Sequence, residues 1–279
     1  MPERYKFVLK PKWIVSHLVV IAIAVLFINL GFWQLRRLDE KKAHNRVVKE
    51  RTATSPAPIG HLLTAADGFG SAGLAKASSL EFRQVTATGS YQADQEVLVR
   101  GRSLGGAPGS WVLTPLKLSD GTALVINRGW ISNDGRLTAL PPKYRAPAGE
   151  VSITGLLQAT QTRGSFGSTD PATGTLPNLA RADVRRLQAQ VPERLVPAYA
   201  QLESQRPAPE SGSSPTLLDP PVLDEGPHLS YAIQWFTFTF IGLAGYPIIL
   251  RRAAREKERK AEEDAAEVED AEEPDKVPV

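Results

Sequence analysis

His228, Tyr231 and Trp235 open the last apolar run of the chain, "PHLSYAIQWFTFTFIGLAGYPIIL". On a helix beginning at His228, spacings of three and seven residues put all three on one face. Gln234 then points about 120° away, at about 100° per residue. A neutral imidazole can ligate a metal ion, which makes His228 the candidate ligand. The competing reading is structural. Trp and Tyr form belts at membrane interfaces with no ligand at all, and a His at a helix start can simply be solvated.

The elements that position these residues are two uncharged apolar runs. Ile14 to Leu35, "IVSHLVVIAIAVLFINLGFWQL", covers 22 residues, and Tyr231 to Leu250 covers 20. At about 1.5 Å per residue each can cross about 30 Å of hydrocarbon. The first run lacks the small-x-small cleavage site of a signal peptide, so it is expected to be retained. Lys and Arg flank the first run almost evenly, but around the second they are absent from Glu210 to Leu250 and dense in "RRAAREKERK". The positive-inside rule then places both termini in the cytoplasm. The expected organisation is a cytoplasmic segment 1–13, transmembrane helices at 14–35 and 231–250, an extracytoplasmic domain at 36–230 and a charged, disordered cytoplasmic tail at 251–279 in the cell membrane.

In such a hairpin "GFWQLRR" and "PHLSYAIQWF" lie at the same outer depth. Gln34, Arg36 and Arg37 therefore share a level with His228. Gln34 and Gln234 can hydrogen-bond between the two helices. His17, near the cytoplasmic end of the first run, is the competing histidine.

Composition narrows the chemistry further. Cysteine is absent and Met1 is the sole methionine. That excludes disulfides, zinc fingers, Fe–S clusters and soft copper(I) sites. A formal charge of +3, spread along the chain, argues against nucleic acid as a partner. No GxSxG, Walker, dinucleotide or HExxH motif is present, and an enzyme is the weaker class.

The region between the runs reads as mainly antiparallel β, so the fold class is membrane-anchored α+β. Strands are expected at "RQVTATGSY", "EVLVRGR", "VSITGLLQ" and "LVPAYAQLES". "SWVLTPLKLSDGTALVINRGWIS" reads as a hairpin around Asp120-Gly121. "TATSPAPIG" reads as a linker and "GFGSAGLAKASS" as a flexible loop. "NDGRLTALPPKYRAPAG" and "QRPAPESGSSPTLLDPPVLDEG" read as irregular connections, and a short helix is expected at Ala180 to Gln190. His44 and His61 fall in segments that look linker-like. "NRGW", Asn127 to Trp130, is expected to end a strand, with Arg128 either facing a partner or pairing with a nearby carboxylate.

Taken in order, "GFWQLRRLDEKKAHN", "FRQVTATGSYQADQEVLVRGR", "GSWVLTPLKLSDGTALVINRGWI" and "PHLSYAIQWFTF" resemble the SURF1 family of cytochrome c oxidase assembly factors. The resemblance runs from about Trp13 to Leu250. The Gly/Ala/Ser-rich stretch near Gly68 to Ser79, the Pro/Ser-rich Gln205 to Pro221 stretch and the acidic tail depart from it. The tail suggests a high-GC, actinobacterial source.

The resemblance implies help in maturing subunit I of a haem-copper oxidase, with haem a as the cofactor handled. Partners would be subunit I and other oxidase or haem a biosynthesis proteins. It also sharpens the site. His228 would ligate the haem iron, Arg36, Arg37 and Arg128 would pair with propionates, and Tyr231, Trp235 and Gln34 would complete the cofactor-binding set. The rivals are a haem-independent scaffold of the same oxidase and an extracytoplasmic enzyme or sensor.

Overall fold

The computed structural model describes residues 3–133, 139–165, 167–209, 212 and 214–272. It divides into two compact units, Met1–Asn45 with Asp224–Val279, and Arg46–Leu223.

The first unit is a pair of long helices, α1 (Pro11–Thr52), which runs on into the second unit, and α5 (His228–Glu272). A 3-10 segment, Glu3–Leu9, precedes α1. Both helices are long and apolar enough to cross a membrane. Their apolar side chains are largely exposed, Leu18, Ile21, Phe240 and Ile241 among them.

Both helices outrun the apolar stretches that define them. At about 1.5 Å per residue, the 42 residues of α1 make about 63 Å. α5 continues to Glu272, so residues 251–272 of the tail expected to be disordered are helical. Its charged half is rich in Ala, Glu, Lys and Arg, which favour helix. Arg259–Glu263 and Glu256–Lys260 pairs at i,i+4 add a little more. Residues 273–279, where the disordered tail was expected to continue, lie outside the described residues.

The second unit is a β-barrel. Its strands are β1 (Ala57–Pro58), β2 (Gln84–Tyr91), β3 (Val97–Leu104), β4 (Ala107–Leu118), β5 (Ala123–Ser132), β6 (Glu150–Ala159), β7 (Asn178–Leu179) and β8 (Leu195–Arg206). The sheet order is β1-β2-β6-β8-β5-β4-β3-β7, and a further β2–β4 pairing closes β2, β6, β8, β5 and β4 into a ring. Gly89 permits that closure. A Cβ there would collide with the Lys117 carbonyl at the β2–β4 seam. Most pairings are antiparallel, as the alternation suggested, but β5–β8, β1–β2 and β3–β7 run parallel.

The barrel explains why β5 opens with "ALVI", apolar without a break. Successive side chains face opposite sides of a strand. Leu124 and Ile126 enter a core with Leu116, Ile153 and Leu157, while Ala123 and Val125 enter a second core with Leu113, Leu187 and Tyr199. Neither face meets water.

The hairpin at Asp120-Gly121 forms as expected, with Gly121 at φ 79° and the Gly121 N–H bonded to the Leu118 carbonyl. The short helix shrinks to α4 (Val184–Gln188), capped by Asp183, whose side chain accepts from the Arg186 N–H.

Two expectations fail. "GFGSAGLAKASS" is not a flexible loop: Ser71–Ser79 form the helix α3, with Gly73 and Ala77 buried. Its small residues let it sit directly on the chain, so that a Cβ at Gly73 would strike the carbonyls of Asp67 and Gly68. The supposed linker "TATSPAPIG" carries β1 and leads into a helical turn, α2 (Ile59–Leu62). Consequently His44 and His61 sit on α1 and α2, not in linkers. Of the two irregular connections, residues 134–138, 210, 211 and 213 lie outside the described residues. The first contains a 3-10 turn at Pro142–Tyr144, and the second returns to bridge Thr216 to Trp130.

Candidate functional site

The start of α5 is built by a turn. The Asp224 side chain accepts from the Gly226 N–H at 2.6 Å, and Gly226 adopts φ 69°. The Pro227 carbonyl then accepts from the Tyr231 N–H, so that His228 enters the first helical turn. Asn45 on α1 donates to the Asp224 carbonyl at 2.9 Å, and Lys42 lies 3.6 Å from Glu225. The entry to α5 is therefore tied to α1 before the helix begins.

From that point the helices pack antiparallel in one register. His228 Nδ1 lies 2.9 Å from Gln34 Oε1. An amide oxygen only accepts, so Nδ1 carries the proton and the lone pair sits on Nε2. The imidazole edge lies back over Gly226, where a Cβ would stand 3.5 Å from Nε2, in ordinary contact. One turn on, Ala232 is buried. Phe236 then covers Gly31 so closely that a Cβ on Gly31 would come within 2.7 Å of the ring. Trp235 lies 5.2 Å from Phe27, and Phe236 stacks edge-on to Phe32 at 5.5 Å.

This geometry revises the expected face. His228 and Trp235 do meet α1, but Tyr231 remains 46% exposed, outside the contact. The inward stripe is His228, Ala232, Trp235 and Thr239, which steps by four, three and four along the helix. Gln34 is brought to His228, and Gln234 is exposed. Arg37 pairs with Glu40 on its own helix at 2.6 Å, and Arg36 is exposed.

His17 belongs to a second polar cluster that sequence reading left unassembled. Its Nδ1 lies 2.6 Å from the Tyr246 hydroxyl, which is also 2.9 Å from Ser16 Oγ, and its Nε2 lies 3.2 Å from the Val8 carbonyl. The signal for Tyr246 was available: the register that pairs Gln34 with His228 also pairs His17 with Tyr246.

Arg128 has a different setting, inside the β unit. It continues the inward series Leu124, Ile126 along β5 and is only 3% exposed. Nη1 donates to Glu96 Oε2 at 3.2 Å, and Nη2 donates to the Arg145 carbonyl at 3.3 Å. Thr114 donates to the same Glu96 oxygen, and the guanidinium lies 5.5 Å from the centre of the Tyr91 ring. Burial pushes the Glu96 carboxyl up from its ordinary range, and the Arg128 charge only partly offsets it. Burial likewise lowers Arg128, with Glu96 opposing. Of the two sequence readings of Arg128, pairing with a nearby carboxylate is what the geometry contains. Nothing local in the sequence marked Glu96, which lies 32 residues away.

Among the described residues no group of three His, Asp or Glu side chains could hold a metal ion. A lone imidazole suits a metal whose other ligands come from a macrocycle.

The SURF1 family profile matches residues 21–240, from within the first apolar run, through the β unit, to within the second. Proteins described as uncharacterized SURF1-like proteins in Mycobacterium tuberculosis and Mycobacterium bovis are 31% identical over 261 residues, covering 92% of this chain and 90% of theirs. A SURF1-like protein of Dictyostelium discoideum is 35% identical over 106 residues, 38% of each chain.

Proposed function

Because the chain belongs to the SURF1 family, we propose that it is a membrane-anchored assembly factor for cytochrome c oxidase. It assists maturation of subunit I by holding or handing over haem a, and it catalyses no covalent reaction. Its anchor is the α1–α5 pair, whose exposed apolar side chains would be costly in water, at about 25 cal/mol per Å². The charge pattern supports a cell-membrane location with both termini in the cytoplasm and the barrel outside it.

The observation that carries the haem reading is the His228–Gln34 hydrogen bond. A metal-ligating histidine characteristically donates its other ring N–H to an oxygen, which fixes the tautomer and aims the free nitrogen. His228 has that arrangement, with Nε2 left as the ligating atom. Arg36 and Arg37, both exposed, are the cations for a propionate, and the exposed Arg37–Glu40 pair is weak enough to exchange for one. Trp235, packed beside Phe27 at 5.2 Å, and the half-exposed Tyr231 would supply aromatic surface for the ligand. The ligand itself supplies the iron. This chain supplies the imidazole, the cation and the apolar surround.

The scaffold alternative has its own support, because the same hydrogen bond also ties one helix to the other. The two separate in one experiment. Protein purified from haem a-producing cells is expected to show a Soret band that His228→Ala loses. No band in the wild type would leave the scaffold. A deletion strain with normal oxidase activity and normal haem a content would remove the oxidase assignment altogether.

A further inference from the structure

Arg128 also lines a cavity that neither the helix pair nor the oxidase reading uses. The cavity, about 500 Å³, has walls of Pro142, Pro147 and Pro209 with Ala148 and Ala208, and three cations: Arg128, Lys143 and Arg145. Among the described residues, no carboxylate lines it. Pro142, Ala148 and Ala208 are themselves exposed, so it is an open cleft with apolar and cationic walls in similar share, of a size that small-molecule sites have.

The charges are arranged unequally. Arg128 is the fixed one, held by Glu96, the Arg145 carbonyl and the Tyr91 ring, so its guanidinium keeps one orientation. Lys143 and Arg145 are exposed, and neither has an ion pair among the described residues. An adjoining cavity of about 260 Å³ shares Arg128 and Pro209 and contains Glu203, whose carboxylate accepts from Gln84. Carboxylates line the cavities that share these cations, Glu203 with Arg128 and Asp94 and Glu96 with Arg145, so the positive excess is that of this cavity's own walls. A preset guanidinium, with two adaptable cations near it, matches the geometry of an oxyanion.

We propose that this cavity binds a small molecule carrying a carboxylate or phosphate group on an apolar body. The oxyanion meets Arg128, Lys143 and Arg145, and the apolar part lies against the proline walls. The site is independent of His228 and of haem.

The test is calorimetric titration of the full-length protein in detergent micelles with phenyl phosphate and, separately, benzoate. At least one is expected to bind saturably at one site, tighter than about 1 mM, and the arm that binds identifies the oxyanion. Inorganic phosphate is expected to bind more weakly than phenyl phosphate. Lys143→Gln/Arg145→Gln, which changes only exposed side chains, is expected to weaken binding at least about tenfold. Arg163→Gln, which removes an exposed charge outside the cavity, is expected to leave it unchanged. Absence of saturable binding by either probe, an undiminished affinity in the double variant, or an equal loss in Arg163→Gln would overturn the proposal. Inorganic phosphate binding as tightly as phenyl phosphate would overturn its apolar half.

Discussion

His228 Nδ1 donates to Gln34 Oε1 across 2.9 Å, between residues 194 positions apart. The bond fixes the imidazole tautomer and ties the first turn of α5 to α1. Its two effects can be separated by changing Gln34 alone. Gln34→Leu keeps the volume but removes the acceptor, and is expected to lower haem occupancy by about 10- to 100-fold while the helices still pair. Gln34→Glu, which keeps an acceptor, is expected to restore most of it. The ratio of Soret to protein absorbance in purified samples measures both.

Gly31 is expected to tolerate no side chain. Gly31→Val places methyl groups where Phe236 now lies, costing about 1–3 kcal/mol of overpacking. Phe236→Ala in the same chain should recover much of the loss. Thermal unfolding in detergent, followed by helical circular dichroism, compares the three variants.

Breaking the Arg128–Glu96 pair from one side should be severe. Arg128→Ala leaves Glu96, 10% exposed, without its counter-ion, and is expected to destabilise the barrel by about 3–5 kcal/mol. Arg128→Met/Glu96→Leu, which removes both charges, should be much closer to wild type. Trp111 and Trp130 lie in the β unit, so denaturant unfolding by tryptophan fluorescence gives the reading.

Alkaline pH should loosen the β unit through its buried tyrosines. Burial pushes Tyr199 up to about 12 from an ordinary 10, and pushes Tyr91 higher still. A raised pKa means the folded state holds the proton more tightly than the unfolded state. The stabilisation is therefore fully present below pH 10 and is lost as pH rises through about 12. Denaturation midpoints between about pH 9 and 12 should fall, and Tyr199→Phe should flatten that fall.

Topology can be tested cleanly because the chain has no cysteine. Single cysteines at Ser103 in the β unit and at Lys260 on α5 report the two sides. A membrane-impermeant maleimide is expected to label Ser103→Cys in intact cells, and Lys260→Cys only after lysis. The opposite pattern would invert the assigned orientation.

Much of the architecture could be read along the chain. Hydrogen-bonded backbone and apolar side chains are what a membrane span requires, so two uncharged runs announce two long helices without any tertiary information. The Asp120-Gly121 turn and its flanking alternation announce the β4–β5 hairpin for the same local reason. α3 was hidden because glycine, alanine and serine look like loop in isolation. They are also the residues that let a helix approach other chain closely, and only the packing of Gly73 and Ala77 distinguishes the cases.

The candidate sites divide along the same line. Residue type and spacing singled out His228, Gln34 and Arg128, because an imidazole, an amide or a guanidinium is conspicuous in an apolar run or strand. Folding chose their partners. The antiparallel register brings Gln34 to His228 and leaves Tyr231 facing outward, and barrel closure carries Glu96, Thr114 and Tyr91 to Arg128. Side-chain chemistry is a local property of the chain. Which groups come within about 3 Å of one another, the reach of a hydrogen bond, depends on register and closure, and those are set by the packing of the whole fold.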